Sequence, residues 1–166
     1  MGKTIKTGFR ENLFQAYFQP IVDTKTKEVY KYEALIRYIT KEGVEIAPYH
    51  FINVAKKTKL YPNIIKIVIQ DSFKLIKNKN KRVSVNISFD DIANEETTAF
   101  IYEILELNKE YTEFLEFEIL ESEEISDFNE VSKFIAEIKK FNCIVGVDDF
   151  GAGYSNFNLL TLLDID

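Results

Sequence analysis

The chain has 166 residues, 46% apolar and 29% charged, with a formal net charge of −6; that is the size and composition of about one globular domain, and its acidic balance suits it poorly to a nucleic-acid polymer, which normally needs a basic face. The single cysteine, Cys143, excludes an intrachain disulfide and fits a reducing compartment, and with His50 as the only histidine a His/Cys zinc site is excluded as well. No apolar run reaches the roughly 18 residues of a membrane span and no signal-peptide core follows Met1, so any chemistry must come from carboxylates, amides, lysine and arginine.

Met1 to Asn12 is polar and aperiodic and reads as a tail or linker end. Phe14 to Asp23 reads as a strand, Thr24 to Glu28 as a polar turn, and Val29 to Tyr38 as a second strand. A loop with Gly43 as its turn residue leads into an amphipathic helix over Pro48 to Leu60. Pro62 opens a second helix, along which Ile65, Val68, Ile69, Phe73 and Ile76 recur at helical spacing. The lysine-rich stretch Lys74 to Arg82 reads as a solvated helix end and loop rather than a polybasic site. RVSVNISF, Arg82 to Phe89, alternates and is β-branched, which marks a strand. Asp90 to Glu110 reads as a helix and Phe114 to Leu120 as a strand. Ser126 to Asn142 is helical, with Val131, Phe134, Ile135 and Ile138 on one face. Ile144 to Asp149 is a strand, and Gly151 and Gly153 turn the chain into a last helix, Tyr154 to Leu163.

From the second strand onward, strands alternate with helices, which implies parallel pairing with helices outside. An open doubly wound sheet and a (β/α)₈ barrel both fit. The glycine-rich dinucleotide fingerprint follows none of the strands, which weakens the nucleotide-binding doubly wound version. Glu33, Asn86, Glu118 and the pair Asp148–Asp149 fall at comparable places on successive strands, and in a parallel barrel such strand ends converge on one face. Carboxylates gathered there repel unless a cation compensates them. All-oxygen ligands favour a hard ion, Mg²⁺ or Mn²⁺, and adjacent aspartates suit a two-metal phosphodiester site. The ordinary alternative for each acid is a cap or a solvated loop residue, and for Asn86 a hydrogen-bonded polar residue inside the barrel. Asp148 and Asp149 point to opposite faces of a regular strand, so both reach one site only where the strand ends or bulges; Gly151 and Gly153 make such a break available.

YEALIR, SVNIS, FEILE and DDFGAGYSN, in that order, together with the upstream FQPIVD and the helix APYHFINVAKKTKL, resemble the EAL domains, the cyclic di-GMP phosphodiesterases of bacterial signalling. The resemblance runs from about Phe14 to the end of the chain, which leaves residues 1–13 as the tail and 14–166 as a truncated EAL domain. It implies a partial TIM-like α/β barrel with an antiparallel first strand and metal-dependent hydrolysis of cyclic di-GMP to linear pGpG. Glu33, Asn86, Glu118 and Asp148 would bind Mg²⁺ or Mn²⁺, with Asp148 bridging and Asp149 serving the second ion. Glu33 and Asp149 would be the catalytic residues, and Glu121 would steady a loop near the metals. Gln19 and Arg37 match positions near the substrate, and an arginine suits phosphate; the ordinary alternative for Arg37 is a surface ion pair.

Five strands are visible, whereas a (β/α)₈ barrel takes about 250 residues. The chain stops before the strands that carry the family's catalytic lysine and a further metal-binding glutamate. The expectation is a phosphodiesterase in the complete domain and an inactive isolated piece, with a non-catalytic cyclic di-GMP receptor or protein-interaction module as the alternative function. The uncovered strand Ile144 to Asp149 would be met by a second copy, by exchange of elements, or by aggregation. The expected setting is the cytoplasm, with any membrane anchor lying in other domains of the parent protein.

Overall fold

The structure, a computed structural model, describes residues 2–120, 128–148 and 165–166, with side chains from residue 5 onward except that of Asp148. Helix α1 (Gly2–Arg10) precedes strand β1 (Phe14–Val22), which returns as β2 (Val29–Ile39). The short strand β3 (Glu45–Ile46) folds back on β2. Helices α2 (Ile52–Lys57) and α3 (Tyr61–Lys79) lead to β4 (Arg82–Ile87). Helices α4 (Phe89–Ile92) and α5 (Glu95–Leu107) lead to β5 (Leu115–Leu120), and α6 (Phe128–Lys139) lies before β6 (Ile144–Asp148).

These strands form one six-stranded sheet in the order β1-β2-β4-β5-β6, with β3 on β2. The β1–β2 pair is antiparallel, while β2, β4, β5 and β6 run parallel. The order advances in one direction from β2 to β6, without the reversal that defines a doubly wound sheet. That is barrel winding, and among the described residues the sheet stays open, as in part of a barrel. The antiparallel first strand is as expected.

Alternation decides which face is buried. On the helix side lie Ala34 and Ile36 of β2, Val83, Val85 and Ile87 of β4, Leu115, Phe117 and Ile119 of β5, and Val145 of β6, all buried. Helix α3 covers them with Ile64, Ile65, Val68, Ile69, Phe73 and Ile76, α5 with Ile101 and Leu105, and α6 with Val131, Phe134, Ile135 and Ile138. Leu60 and Pro62 start α3, and Asn80, left-handed at φ 51°, ends it. Ser88 and Asp91 form a reciprocal capping box at α4.

The elements depart from the sequence reading in four places. Residues 2–10 are a helix rather than a tail, because Ile5 is 2% exposed and Phe9 stacks on Phe14 at 4.3 Å. A Cβ at Gly8 would stand 2.7 Å from the Tyr38 ring, so the glycine lets α1 press onto β2. The helix read over Asp90 to Glu110 is two helices, since the Asn94 side chain accepts from the Thr97 N–H and starts a new one. Pro48–His50 is a 3₁₀ turn before α2, and β3 lies in the stretch read as a loop. The last turn and helix, from Gly151 to Leu163, lie outside the described residues.

Candidate metal and substrate site

The face opposite the helices is polar. Lys31 and Glu33 of β2, Ser84 and Asn86 of β4, and Glu116 and Glu118 of β5 share it through the registers Glu33 with Ser84, Ser84 with Glu116, and Asn86 with Glu118. Asn86 Nδ2 donates to Glu33 Oε1 at 3.1 Å. That bond orients both groups: with the amide nitrogen turned to Glu33, the amide oxygen faces away from it. Asn86 Oδ1 is buried and has no hydrogen-bond partner among the described residues, a costly state for an amide oxygen.

Beside this pair, Lys31 reaches over β4 to β5. Its Nζ donates to Glu118 Oε1 at 2.7 Å and to Glu116 Oε1 at 2.9 Å. The three side chains are 12% to 15% exposed. Burial alone would lower the Lys31 pKa; the hydrogen bonds to Glu118 and Glu116, and their charge, outweigh it and hold the ammonium above its ordinary range. Ser84, between the two strands, is fully buried and small enough for the lysine to pass. On the far side, a Cβ at Gly146 would lie 3.3 Å from Glu116 Oε1 and 3.7 Å from Glu118 Cγ. Glycine therefore leaves the two carboxylates their room.

The structure brings Glu33 and Asn86 into direct contact and sets Glu118 on the neighbouring strand in register with Asn86. Gln19 stands opposite Glu33 on β1, exposed to solvent. Arg37 lies further along β2; its Nε donates to Glu45 Oε1 at 2.8 Å and its Nη1 to the Ile36 carbonyl, so the ordinary ion pair is what it makes here. Asp148 ends β6 opposite Leu120. Glu121 and Asp149 lie outside the described residues. Sequence reasoning missed Lys31, Ser84 and Glu116. Their signal was the period-two alternation of polar residues in KYE, SVN and EFE, which the search for strand-end acids passed over.

The donors present are the oxygens of Glu33, Asn86 and Glu118, which suit a hard divalent cation, and the buried Asn86 Oδ1 is an acceptor that such an ion would satisfy. Among the described residues no three His, Cys, Asp or Glu side chains stand together as a complete metal site; Glu33, Asn86 and Glu118 offer two carboxylates and an amide. No helix among the described residues is long and apolar enough to cross a membrane.

The sequence profile of the EAL domain matches residues 3–166. The chain is 32% identical over 156 residues to the cyclic di-GMP phosphodiesterase PdeR of Escherichia coli, covering 90% of this chain and 23% of that protein. It is 27% identical over 161 residues to the signaling protein YkoW of Bacillus subtilis, covering 94% of this chain and 20% of that one. The chain therefore spans less than a quarter of the length of either relative. The crystal structure of an EAL domain protein from Listeria monocytogenes is similar at a TM-score of 0.82 and 27% identity, over 100% of this chain and 66% of that chain. The FimX EAL domain of Pseudomonas aeruginosa, solved with c-di-GMP bound, shares the fold at a TM-score of 0.86 and 23% identity, over 99% of this chain and 68% of that chain. A profile match across nearly the whole sequence, joined to barrel winding behind an antiparallel first strand, means that the chain belongs to the EAL domain family.

Proposed function

We propose that the protein carrying this chain is a metal-dependent phosphodiesterase that hydrolyses cyclic di-GMP to linear pGpG. The observation that supports this most is the meeting of Glu33 with Asn86, beside Glu118, on the polar face, with the Asn86 oxygen buried and unpartnered among the described residues. The relative PdeR is itself named a cyclic di-GMP phosphodiesterase.

Glu33, Asn86, Glu118 and Asp148 would hold Mg²⁺ or Mn²⁺, Asp148 shared between two ions and Asp149 serving the second. When bound, such ions polarise a phosphoryl oxygen and lower the pKa of water. The chain's own contribution is positional. The Asn86 amide holds the Glu33 carboxylate in place and turns its own oxygen to the site. Arg37 carries a planar, permanent charge suited to phosphate; its partner Glu45 is 47% exposed, so water can replace the arginine there at little cost. Gln19, opposite Glu33, supplies an amide at the edge of the same surface, and Glu121, by its motif, would steady a loop near the metals.

The test is pGpG formation by the full-length protein, followed by chromatography with Mn²⁺ or Mg²⁺, alongside cyclic di-GMP binding by calorimetry. Asp149→Asn is expected to lose most turnover and keep nucleotide binding. Turnover within a few-fold of wild type removes Asp149 from the mechanism. A receptor without turnover is the second reading, supported by the Lys31 contact that compensates Glu118 without a metal; cyclic di-GMP binding by the wild type without pGpG formation would establish it instead.

A further inference from the structure

The Lys31 ammonium lies on the carboxylate of a candidate metal ligand. It bonds Glu118 Oε1 at 2.7 Å and Glu116 Oε1 at 2.9 Å, and all three groups are largely withdrawn from water. Charges so placed are weakly screened by salt. We propose that Lys31 is an internal competitor of the divalent cation: it holds Glu118 in the metal-free protein, stays on Glu116 when the cation takes Glu118, and thereby sets the metal affinity.

The inference rests on the metal-dependent reading above and concerns how strongly the site takes its ion. Three features argue for exchange rather than a fixed structural pair. The lysine has two carboxylate partners, so it can release one without becoming an unpaired buried charge, which would be costly. Its second partner, Glu116, is buried and sits next to Gly146, where the absent side chain leaves space for that carboxylate. Glu118 shares a register with Asn86, whose Oδ1 is buried and unpartnered among the described residues, so the lysine-bound carboxylate and the open acceptor lie on neighbouring strands. An ammonium held beside a doubly charged ion opposes its binding at short range. This lysine is therefore a positioning residue, acting on the cation through Glu118.

The test is Mn²⁺ binding by calorimetry on the full-length protein, comparing wild type with the double variant Lys31→Met, Glu116→Gln. The pair removes the cation and its second carboxylate together, so Glu116 is not left charged and alone. Mn²⁺ affinity is expected to rise about ten-fold or more; a merely structural role would lower it. If the double variant fails to fold, Lys31→Gln alone is read by thermal melting, where Mn²⁺ should raise the melting temperature more than it does in wild type. Wild-type binding with an equal or weaker response in the variant overturns the competitor role and leaves the metal reading standing. Absence of Mn²⁺ binding in wild type and variants overturns both.

Discussion

Two faces of one sheet are built from alternate residues of the same strands, and different forces hold them. On the helix side Val83, Val85, Ile87, Leu115, Phe117 and Ile119 are at most 1% exposed, and hydrocarbon burial holds that face together. On the other side Lys31, Glu33, Asn86, Glu116 and Glu118 meet through polar contacts, with Asn86 Oδ1 buried and unpartnered among the described residues. Phe117 stands between Glu116 and Glu118, so neighbours in sequence serve opposite ends. The apolar face fixes the register, because a one-residue slip would exchange the two faces. The polar face can then hold charge that would not stabilise a core by itself.

The comparison breaks most sharply at Phe117. Its ring is fully buried, edge-on to Phe134 at 5.9 Å and 82°. Phe117→Ala is expected to cost about 3–5 kcal/mol, read from the urea unfolding of the complete domain. A loss under about 1 kcal/mol would mean that the helix side is not what holds the sheet.

A smaller effect, absent at neutral pH, comes from Cys143, which leads into β6 and belongs to the same core. Burial pushes its thiol from the ordinary 9.0 to about 12. The sign follows from proton binding. Between these values the unfolded chain releases the thiol proton and the folded chain keeps it, so stability is full below pH 9.0 and falls as pH rises toward about 12. Cys143→Ala should flatten that alkaline slope in thermal melts taken from pH 8.5 upward. An unchanged slope would assign it to other groups. In the native protein iodoacetamide at pH 8 should leave the thiol unmodified.

Much of both faces was legible before any coordinates. Alternation in RVSVNIS marked β4 and named Asn86; FEILE marked β5 and named Glu118; the strand–helix order implied parallel pairing. Helix α1 was hidden because only Ile5 and Phe9 are apolar among its polar residues, and Phe14, the ring that Phe9 meets, lies on a later strand. The break between α4 and α5 was written in Asn94, a capping residue inside an otherwise helical pattern. Lys31 was hidden for a different reason. A lysine in a strand reads as solvated, and nothing local says that the sheet curls far enough to bring it onto β5, 85 residues from Glu116 along the chain. Arg37 has the charge and shape for phosphate, and the contact it makes here is the local one, with Glu45.

The central claim is that the polar face of this sheet is a divalent-metal site and not a set of structural ion pairs. Mn²⁺ calorimetry on the full-length protein carrying Glu118→Gln tests it most directly, because the substitution removes one carboxylate oxygen while Lys31 keeps Glu116 as a partner. The account predicts affinity weaker by about ten-fold or more, with the urea midpoint of the domain shifted far less than by Phe117→Ala. Unchanged Mn²⁺ affinity in Glu118→Gln would contradict it.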